Sequence, residues 1–406
     1  MRALADVARQ MAYVTITAVA ALLAFDLARK GVAESWLAFD FRGTLWDPAA
    51  AILEGRSPYP QPEVSQVDTG NPALYPPLLM LLVAPLTLLP WWLGATLWTA
   101  LLIGAGSLTL RILEVRDIRC YVVALISLPV ITDIAWGNAT LLLVPLVALA
   151  WRWRESWLRV GVVVGLAIAA KLFLWPLLFW LVGTRRYRAA GAAGAAMVLG
   201  LFVPWGVVGL DGLRSYPDLL RVAEAVFAAH SYSVATMLSA LGVGTELASW
   251  GTLVLGVAIA AVALYAGRRR ADAVSISLAV LAALLGSPIL WEYYYSLLLV
   301  PIAILSPRLS IAWIVPLLFY VTHELPRDRL PAKELEPGGS ACCQPAGVPD
   351  ASWVFNHAPP GFWPALGHAV LAIIVVAAVA WRFRLRATTP PDSGRASAAR
   401  VARRST

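Results

Sequence analysis

The residue best suited to catalysis lies in an aromatic stretch near the start of the chain. Asp40 stands in Phe39-Asp40-Phe41-Arg42, with an aromatic side chain on either side. A carboxylate packed among aromatic rings loses hydration, which raises its pKa and makes it a better proton acceptor. Asp40 is therefore a candidate general base; the alternative is a structural carboxylate that pairs with Arg42 or caps the following helix. Asp47, which precedes a proline, is interpreted as a helix N-cap.

Two polar residues interrupt apolar stretches further along the chain. Lys171 lies within the otherwise apolar residues 165–175. Its ammonium could bind an anion such as a phosphate, or it could simply extend to the membrane edge. Asn138 follows a glycine where another apolar stretch is broken. Each break predicts the tip of a short helical hairpin, and such tips are tolerated where they border a wet cavity.

The second half of the chain adds further candidates for binding a sugar or a phosphate. His230 could be a base or a phosphate donor, or a loop histidine without chemistry. Trp291 precedes Glu292 and three consecutive tyrosines. Its ring could stack on a sugar or belong to the aromatic belt of a membrane protein. Asp133 could mark the same site or join two helices.

The composition places these residues in a membrane protein. Of the 406 residues, 60% are hydrophobic and 14% are charged, and the mean hydropathy is +0.72. Soluble domains are about 45–50% apolar and about 25% charged. This excludes a soluble enzyme, a disordered protein and a nucleic-acid-binding domain. P-loop, GxSxG, HExxH and Cys/His cluster motifs are missing, so no metal and no cofactor is expected.

Clusters of arginines set the predicted topology, because basic residues favour the cytoplasmic side. The clusters are Arg111/Arg116/Arg119, Arg152/Arg154/Arg159, Arg185/Arg186/Arg188, Arg268/Arg269/Arg270 and Arg382/Arg384/Arg386. With all five inside, the fold class is an all-α integral membrane protein with about twelve crossings and both termini cytoplasmic. The crossings are expected near 9–27, 91–110, 120–136, 139–151, 160–171, 172–183, 189–209, 246–267, 272–288, 294–306, 309–323 and 363–381. The apolar segment Pro76–Pro90 is too short to span and predicts a re-entrant or interfacial helix.

This topology divides the chain into a membrane body and a tail. The body, residues 1–381, carries outer loops at 29–75, 210–245 and 324–362. The tail, residues 382–406, has seven arginines and one aspartate and is expected to be disordered in the cytoplasm, beside anionic lipid. The unusual polar residues then gather at the opposite, outer face. We therefore expect one polar site at the outer surface of the cell membrane.

The order of several short motifs resembles glycosyltransferase family 87. The motifs are Asp40-Phe41, Ala49–Ala51, Gly55-Arg56, Pro58-Tyr59, Tyr75-Pro76-Pro77, Gly137-Asn138, Lys171 with Pro176, and Ser287-Pro288 before Trp291. The resemblance covers about residues 35–300. It implies a GT-C fold, in which a helical membrane body carries the active site at its outer face. It also implies an acidic base in the first outer loop, at the position of Asp40.

The resemblance further implies a sugar transfer, most simply of mannose, from a polyprenyl-phosphate donor to a lipid or glycan acceptor. Asp40 would take the proton of the acceptor hydroxyl. Lys171, helped by Arg42, would stabilise charge on the leaving phosphate, with inversion at the anomeric carbon. The remaining candidates for substrate binding are Tyr75, Asn138, His230, Trp291 and Glu292. Three alternatives stay open: a transporter or flippase of lipid-linked sugars, an assembly protein without chemistry, and an enzyme that uses polyprenyl-phosphate arabinose.

Overall fold

The computed structural model describes residues 37–68, 71–323, 325 and 361–388, together with short pieces of residues 10–26. The described residues form helices and no strands, as predicted. The third outer loop and the tail beyond residue 388 lie mostly or wholly outside them, and the predicted first crossing is described only in part.

The α-helices are numbered here in chain order. They are α1 (Asp47–Leu53), α2 (Val64–Val67), α3 (Pro77–Val83), α4 (Trp91–Ile112), α5 (Ile118–Ile126), α6 (Leu128–Trp136), α7 (Thr140–Arg152), α8 (Trp157–Ala170), α9 (Leu177–Gly183), α10 (Tyr187–Val208), α11 (Leu210–Phe227), α12 (Val234–Ala240), α13 (Thr245–Arg268), α14 (Asp272–Leu285), α15 (Leu299–Leu305), α16 (Val315–His323) and α17 (Phe362–Thr388). A π-helical turn spans Phe41–Trp46, and 3₁₀ turns span Ala84–Leu88, Leu172–Leu174, Ala228–His230, Glu292–Leu298 and Ile311–Ile314.

Four of these helices are long and apolar enough to cross a membrane: α4, α10, α13 and α17. The pair α5 and α6 makes a fifth span if its 60° bend lies within one crossing. The other apolar helices are shorter; α8, for example, has 14 residues, about 21 Å at 1.5 Å per residue. The hydrocarbon core is about 30 Å thick. The count of about twelve crossings therefore stays a prediction.

The predicted breaks in the apolar stretches are present. Helix α6 ends at Gly137, and α7 begins at Thr140. Helix α8 ends before Lys171, which is followed by a 3₁₀ turn and α9. The segment Pro76–Pro90 forms α3 and a 3₁₀ turn rather than a long helix. Its helical form matches the prediction, whereas a re-entrant or interfacial position stays a prediction.

The arginine clusters meet one another through carboxylates between helices. Arg152 forms an ion pair with Glu114 at 3.3 Å. Asp272 forms ion pairs with Arg186 at 2.9 Å and with Arg154 at 3.5 Å. The Trp180 indole donates to the same carboxylate at 2.6 Å. These contacts join the loops after α4, α7, α9 and α13. The basic loops are therefore collected at one end of the helical body.

Candidate active site

Asp40 lies at the opposite end of the helices, in a buried turn before Phe41–Trp46. Asp40 is 7% exposed. The neighbouring Phe41 ring stacks on the Trp98 ring, with 4.5 Å between the ring centroids. Phe39 packs edge-on against Trp136 at 5.9 Å. The flanking aromatics thus bury the carboxylate, as the sequence predicted. Burial raises the pKa of Asp40 above its ordinary value of 3.8, because the charged form loses hydration.

The end of α6 fixes the position of this turn. Gly137 has a φ of +71°, and a Cβ there would lie 2.8 Å from the Cβ of Phe41. The Gly137 carbonyl accepts a hydrogen bond from the Trp98 indole at 2.7 Å. The Ala38 backbone N–H donates to the Ala135 carbonyl at 2.7 Å. A side chain at Gly137 would push the first loop away from α6.

Asn138 connects the carboxylate to the rest of the site. Its Nδ2 donates to Asp40 Oδ2 at 2.8 Å, and its Oδ1 accepts from the Thr140 backbone N–H at 2.9 Å. The Thr140 hydroxyl also donates to Asn138 Oδ1, at 2.7 Å. These bonds orient the amide so that its NH₂ faces Asp40. Asn138 is 3% exposed, so water does not compete strongly for these bonds.

Lys171 lies on the other side of the same amide. Its Nζ donates to Thr140 Oγ1 at 2.7 Å and has longer contacts of 3.4 Å with Asn138 Oδ1 and the Tyr75 hydroxyl. The Tyr294 ring covers it, with Nζ 3.6 Å from the ring centroid, a strong cation–π geometry. These direct partners are all neutral. Lys171 is 7% exposed, and its ammonium is held in place without direct contact with a carboxylate.

Four residues of this cluster were not predicted from the sequence to belong to the site, or their role was left open. Thr140 bonds both Asn138 and Lys171, and Tyr293 and Tyr294 come from the 3₁₀ helix Glu292–Leu298. Tyr293 also faces Asp40 and lowers the pKa of that carboxyl. Asp133, 0% exposed, accepts from Ser296 Oγ at 3.2 Å. The tyrosine triplet and the threonine two residues after Asn138 at a helix start were the available signals.

Arg42 points away from Lys171 and toward α1. Its Nε lies 3.8 Å from Asp47 Oδ2, and its guanidinium lies 5.2 Å from the centroid of the Trp91 ring. The interpretation of Asp47 as an N-cap is wrong: Trp46 is the N-cap of α1, and Asp47 is its first residue. The π-helical turn continues directly into α1, so no free helix start is left for an aspartate to cap.

The remaining predicted residues lie beside the cluster. Trp291 and Glu292 stand at the start of the 3₁₀ helix that supplies Tyr293 and Tyr294. The loop that carries His230 packs against the same segment, where the Tyr232 N–H donates to the Leu290 carbonyl at 2.6 Å. The structure therefore brings Asp40, Tyr75, Asn138 and Lys171 into one cluster and places the other three at its border.

The cluster can perform proton transfer and hold an anion. A buried carboxylate can accept a proton, and an ammonium with neutral partners can stabilise a negative charge beside it. In the part of the chain that the structure describes, no group of three histidine, cysteine, aspartate or glutamate side chains could hold a metal ion.

Comparisons with known proteins identify the family. The family model described as glycosyltransferase family 87 matches residues 73–289. Two curated relatives are named polyprenol-phosphate-mannose-dependent alpha-(1-2)-phosphatidylinositol pentamannoside mannosyltransferase. The relative from Mycolicibacterium smegmatis is 27% identical over 312 residues, which cover 73% of this chain and 71% of that protein. The relative from Mycobacterium tuberculosis is 27% identical over 313 residues, covering 73% and 68%.

No solved structure matches this chain. The matched range includes Tyr75, Asn138, Lys171 and His230, whereas Asp40 and the segment from Trp291 lie outside it. Because the match covers more than half of the chain, the family resemblance read from the motifs is confirmed. This membrane protein is a glycosyltransferase and belongs to glycosyltransferase family 87.

Proposed function

We propose that this enzyme transfers mannose from a polyprenyl-phosphate donor to a hydroxyl of a lipid or glycan acceptor. The observation that carries the proposal is the buried triad in which one amide, Asn138, lies between the Asp40 carboxylate and the Lys171 ammonium. The names of the two relatives support the donor and a phosphatidylinositol mannoside as the acceptor class. Family membership favours sugar transfer over the transporter and assembly alternatives.

The reaction is a single displacement at the anomeric carbon. The acceptor oxygen forms a bond to that carbon while its proton passes to Asp40. The bond between the anomeric carbon and the phosphate oxygen breaks, and its electron pair leaves with the polyprenyl phosphate. Lys171 stabilises the additional charge on that phosphate, because its neutral partners leave its own charge uncompensated by direct contact. The attack from the opposite face inverts the configuration.

The active site faces the outside of the cell membrane. The distribution of charge along the helices supports this orientation. Helix α7 runs from Thr140 on the site side to Arg152 on the other side, and α8 runs back from Trp157, near Arg159, to Ala170, next to Lys171. These helices are about 20 Å long, and basic loops favour the cytoplasm. Labelling of single cysteines at exposed positions of α11 and of the loop after α13 in intact cells tests this orientation.

The test of sugar transfer uses purified protein, membrane lipid extract and labelled donors. Polyprenyl-phosphate mannose should label a lipid product, and polyprenyl-phosphate arabinose should not. Asp40→Asn should lose at least about a hundredfold in rate, as expected for removal of a general base. Asp211→Asn is the matched control, because that carboxylate is 99% exposed on α11, and it should keep wild-type activity. An Asp40→Asn protein with full activity would remove Asp40 from the mechanism.

A further inference from the structure

Asp133 is a buried carboxylate that the proposed reaction does not use. It is 0% exposed, and its Oδ1 has no hydrogen-bond partner among the described residues. Burying a carboxylate is costly, so it requires a compensating role. Its contacts reach two separate parts of the active site, and these contacts suggest what that role is.

The first contact fixes the start of α7. The Asn138 backbone N–H donates to the Asp133 backbone carbonyl at 3.0 Å, and the Leu141 backbone N–H faces the Asp133 carboxylate. Leu141 is the second residue of α7, where backbone N–H groups have no partner inside the helix. Asp133 therefore holds the turn that presents Asn138 and Thr140.

The second contact fixes the 3₁₀ helix Glu292–Leu298. Ser296 Oγ donates to Asp133 Oδ2 at 3.2 Å. Ser296 is three residues after Tyr293, and positions i and i+3 of a 3₁₀ helix lie on the same face. Tyr293 faces Asp40, and Tyr294 covers Lys171. The contact to Ser296 thus sets where both tyrosines stand.

We propose that Asp133 is a positioning residue for the Asp40 base. By accepting the Ser296 bond, it holds the 3₁₀ helix beside α7 so that Tyr293 and Asn138 both face the same carboxylate. The proposal rests on the assignment of Asp40 as the base. The titratable groups that face Asp40 from the surrounding elements are Lys171, Asp133, Tyr75, Tyr293 and Tyr294.

The test measures the pH profile of kcat/KM for mannose transfer. The acid limb of this profile reports the pKa of the general base in the free enzyme. Ser296→Ala removes the link from Asp133 to the 3₁₀ helix and should lower kcat/KM about tenfold. The acid limb should move to higher pH by about half a unit, since a displaced Tyr293 hydroxyl stabilises the Asp40 carboxylate less. Tyr293→Phe should move it in the same direction, and the double variant should move it no further than Tyr293→Phe alone.

The matched control is Ser277→Ala. Ser277 is also a buried serine, but its hydroxyl bonds the Ala273 carbonyl of its own helix at 2.7 Å. This control should leave the acid limb in place. Asp133→Asn, which still has an oxygen to accept the Ser296 bond, should recover most of the rate that Asp133→Ala loses. If Asp133→Ala fails to fold, the Ser296 and Tyr293 variants still decide the proposal.

Two results overturn the positioning role: an acid limb in Ser296→Ala identical to wild type, or a double variant whose shift equals the sum of the single shifts. Either result, together with an inactive Asp40→Asn, rejects the role of Asp133 and keeps the base. An active Asp40→Asn instead rejects the proposed function itself.

Discussion

Replacing Asn138 with alanine removes the amide between the base and the cation and keeps both of these side chains. The substitution deletes the bond to Asp40 at 2.8 Å and the contact of 3.4 Å with Lys171. It also removes the acceptor of the Thr140 hydroxyl and N–H. The contact with Lys171 is long, so the loss of the bond to Asp40 should dominate the effect.

The size of the expected loss in kcat/KM follows from the free energy of a hydrogen bond to a charged group. Such a bond contributes about 1.5–3 kcal/mol, which corresponds to a loss of about 10- to 150-fold in kcat/KM. Asn138 donates to the charged form of Asp40 and so lowers its pKa, against the larger raising effect of burial. Its removal raises the pKa further, by about one to two units. The base is then protonated over a wider range at low pH.

The assay is the same pH profile of mannose transfer. The acid limb of Asn138→Ala should lie about one to two units above that of wild type, so the ratio of variant to wild-type rates should improve as pH rises. Thr140→Val is the comparison. It removes a partner of Lys171 and one of the two donors to Asn138 Oδ1, but it keeps the Thr140 backbone N–H that orients Asn138. It should therefore lower activity and move the acid limb less than Asn138→Ala does. An unmoved acid limb in Asn138→Ala would refute the reasoning.

Two further substitutions test the cation and the turn. Lys171→Met should lower kcat for mannose transfer by about a hundredfold or more, because an uncharged side chain cannot stabilise the leaving phosphate; wild-type consumption of donor by this variant would contradict that role. Gly137→Ala should lower the melting temperature in detergent, since a left-handed backbone costs an L-residue about 1–2 kcal/mol and the new Cβ meets Phe41 at 2.8 Å. Gly191→Ala on α10, whose Cβ meets nothing within 4 Å, should not lower it.

Part of this site could be predicted from the sequence because charge in an apolar stretch is expensive. Lys171 and Asn138 interrupt stretches that are otherwise apolar, so each predicted a hairpin tip bordering a polar space. Asp40 was conspicuous between two aromatic residues. The structure places these three side chains within one hydrogen-bonded group, although 98 residues separate Asp40 from Asn138 and 33 separate Asn138 from Lys171.

The rest of the site depends on which face of a short helix meets which neighbour. Asp133 and Ser296 lie 163 residues apart, and nothing in the local pattern of either relates them. The tyrosine triplet was visible, but only the 3₁₀ geometry decides that Tyr293 reaches Asp40 and Tyr294 reaches Lys171. Arg42 was expected to help Lys171, and the structure places its Nε 3.8 Å from Asp47 Oδ2; its role beside Lys171 stays a prediction.

The neutral surroundings of Lys171 explain how one site can hold both a base and a cation. If the two charges paired directly, the ammonium would lower the pKa of the base and the base would compete with the phosphate for the ammonium. The Asn138 amide lies between the two groups: it donates to the carboxylate and has a longer contact with the ammonium, which lowers the pKa of Asp40 without contacting it. The hydroxyls of Thr140 and Tyr75 complete the cation's partners without adding charge. The enzyme thus keeps a proton acceptor for the incoming hydroxyl and a positive charge for the departing phosphate within one buried cluster, where each retains its own chemistry.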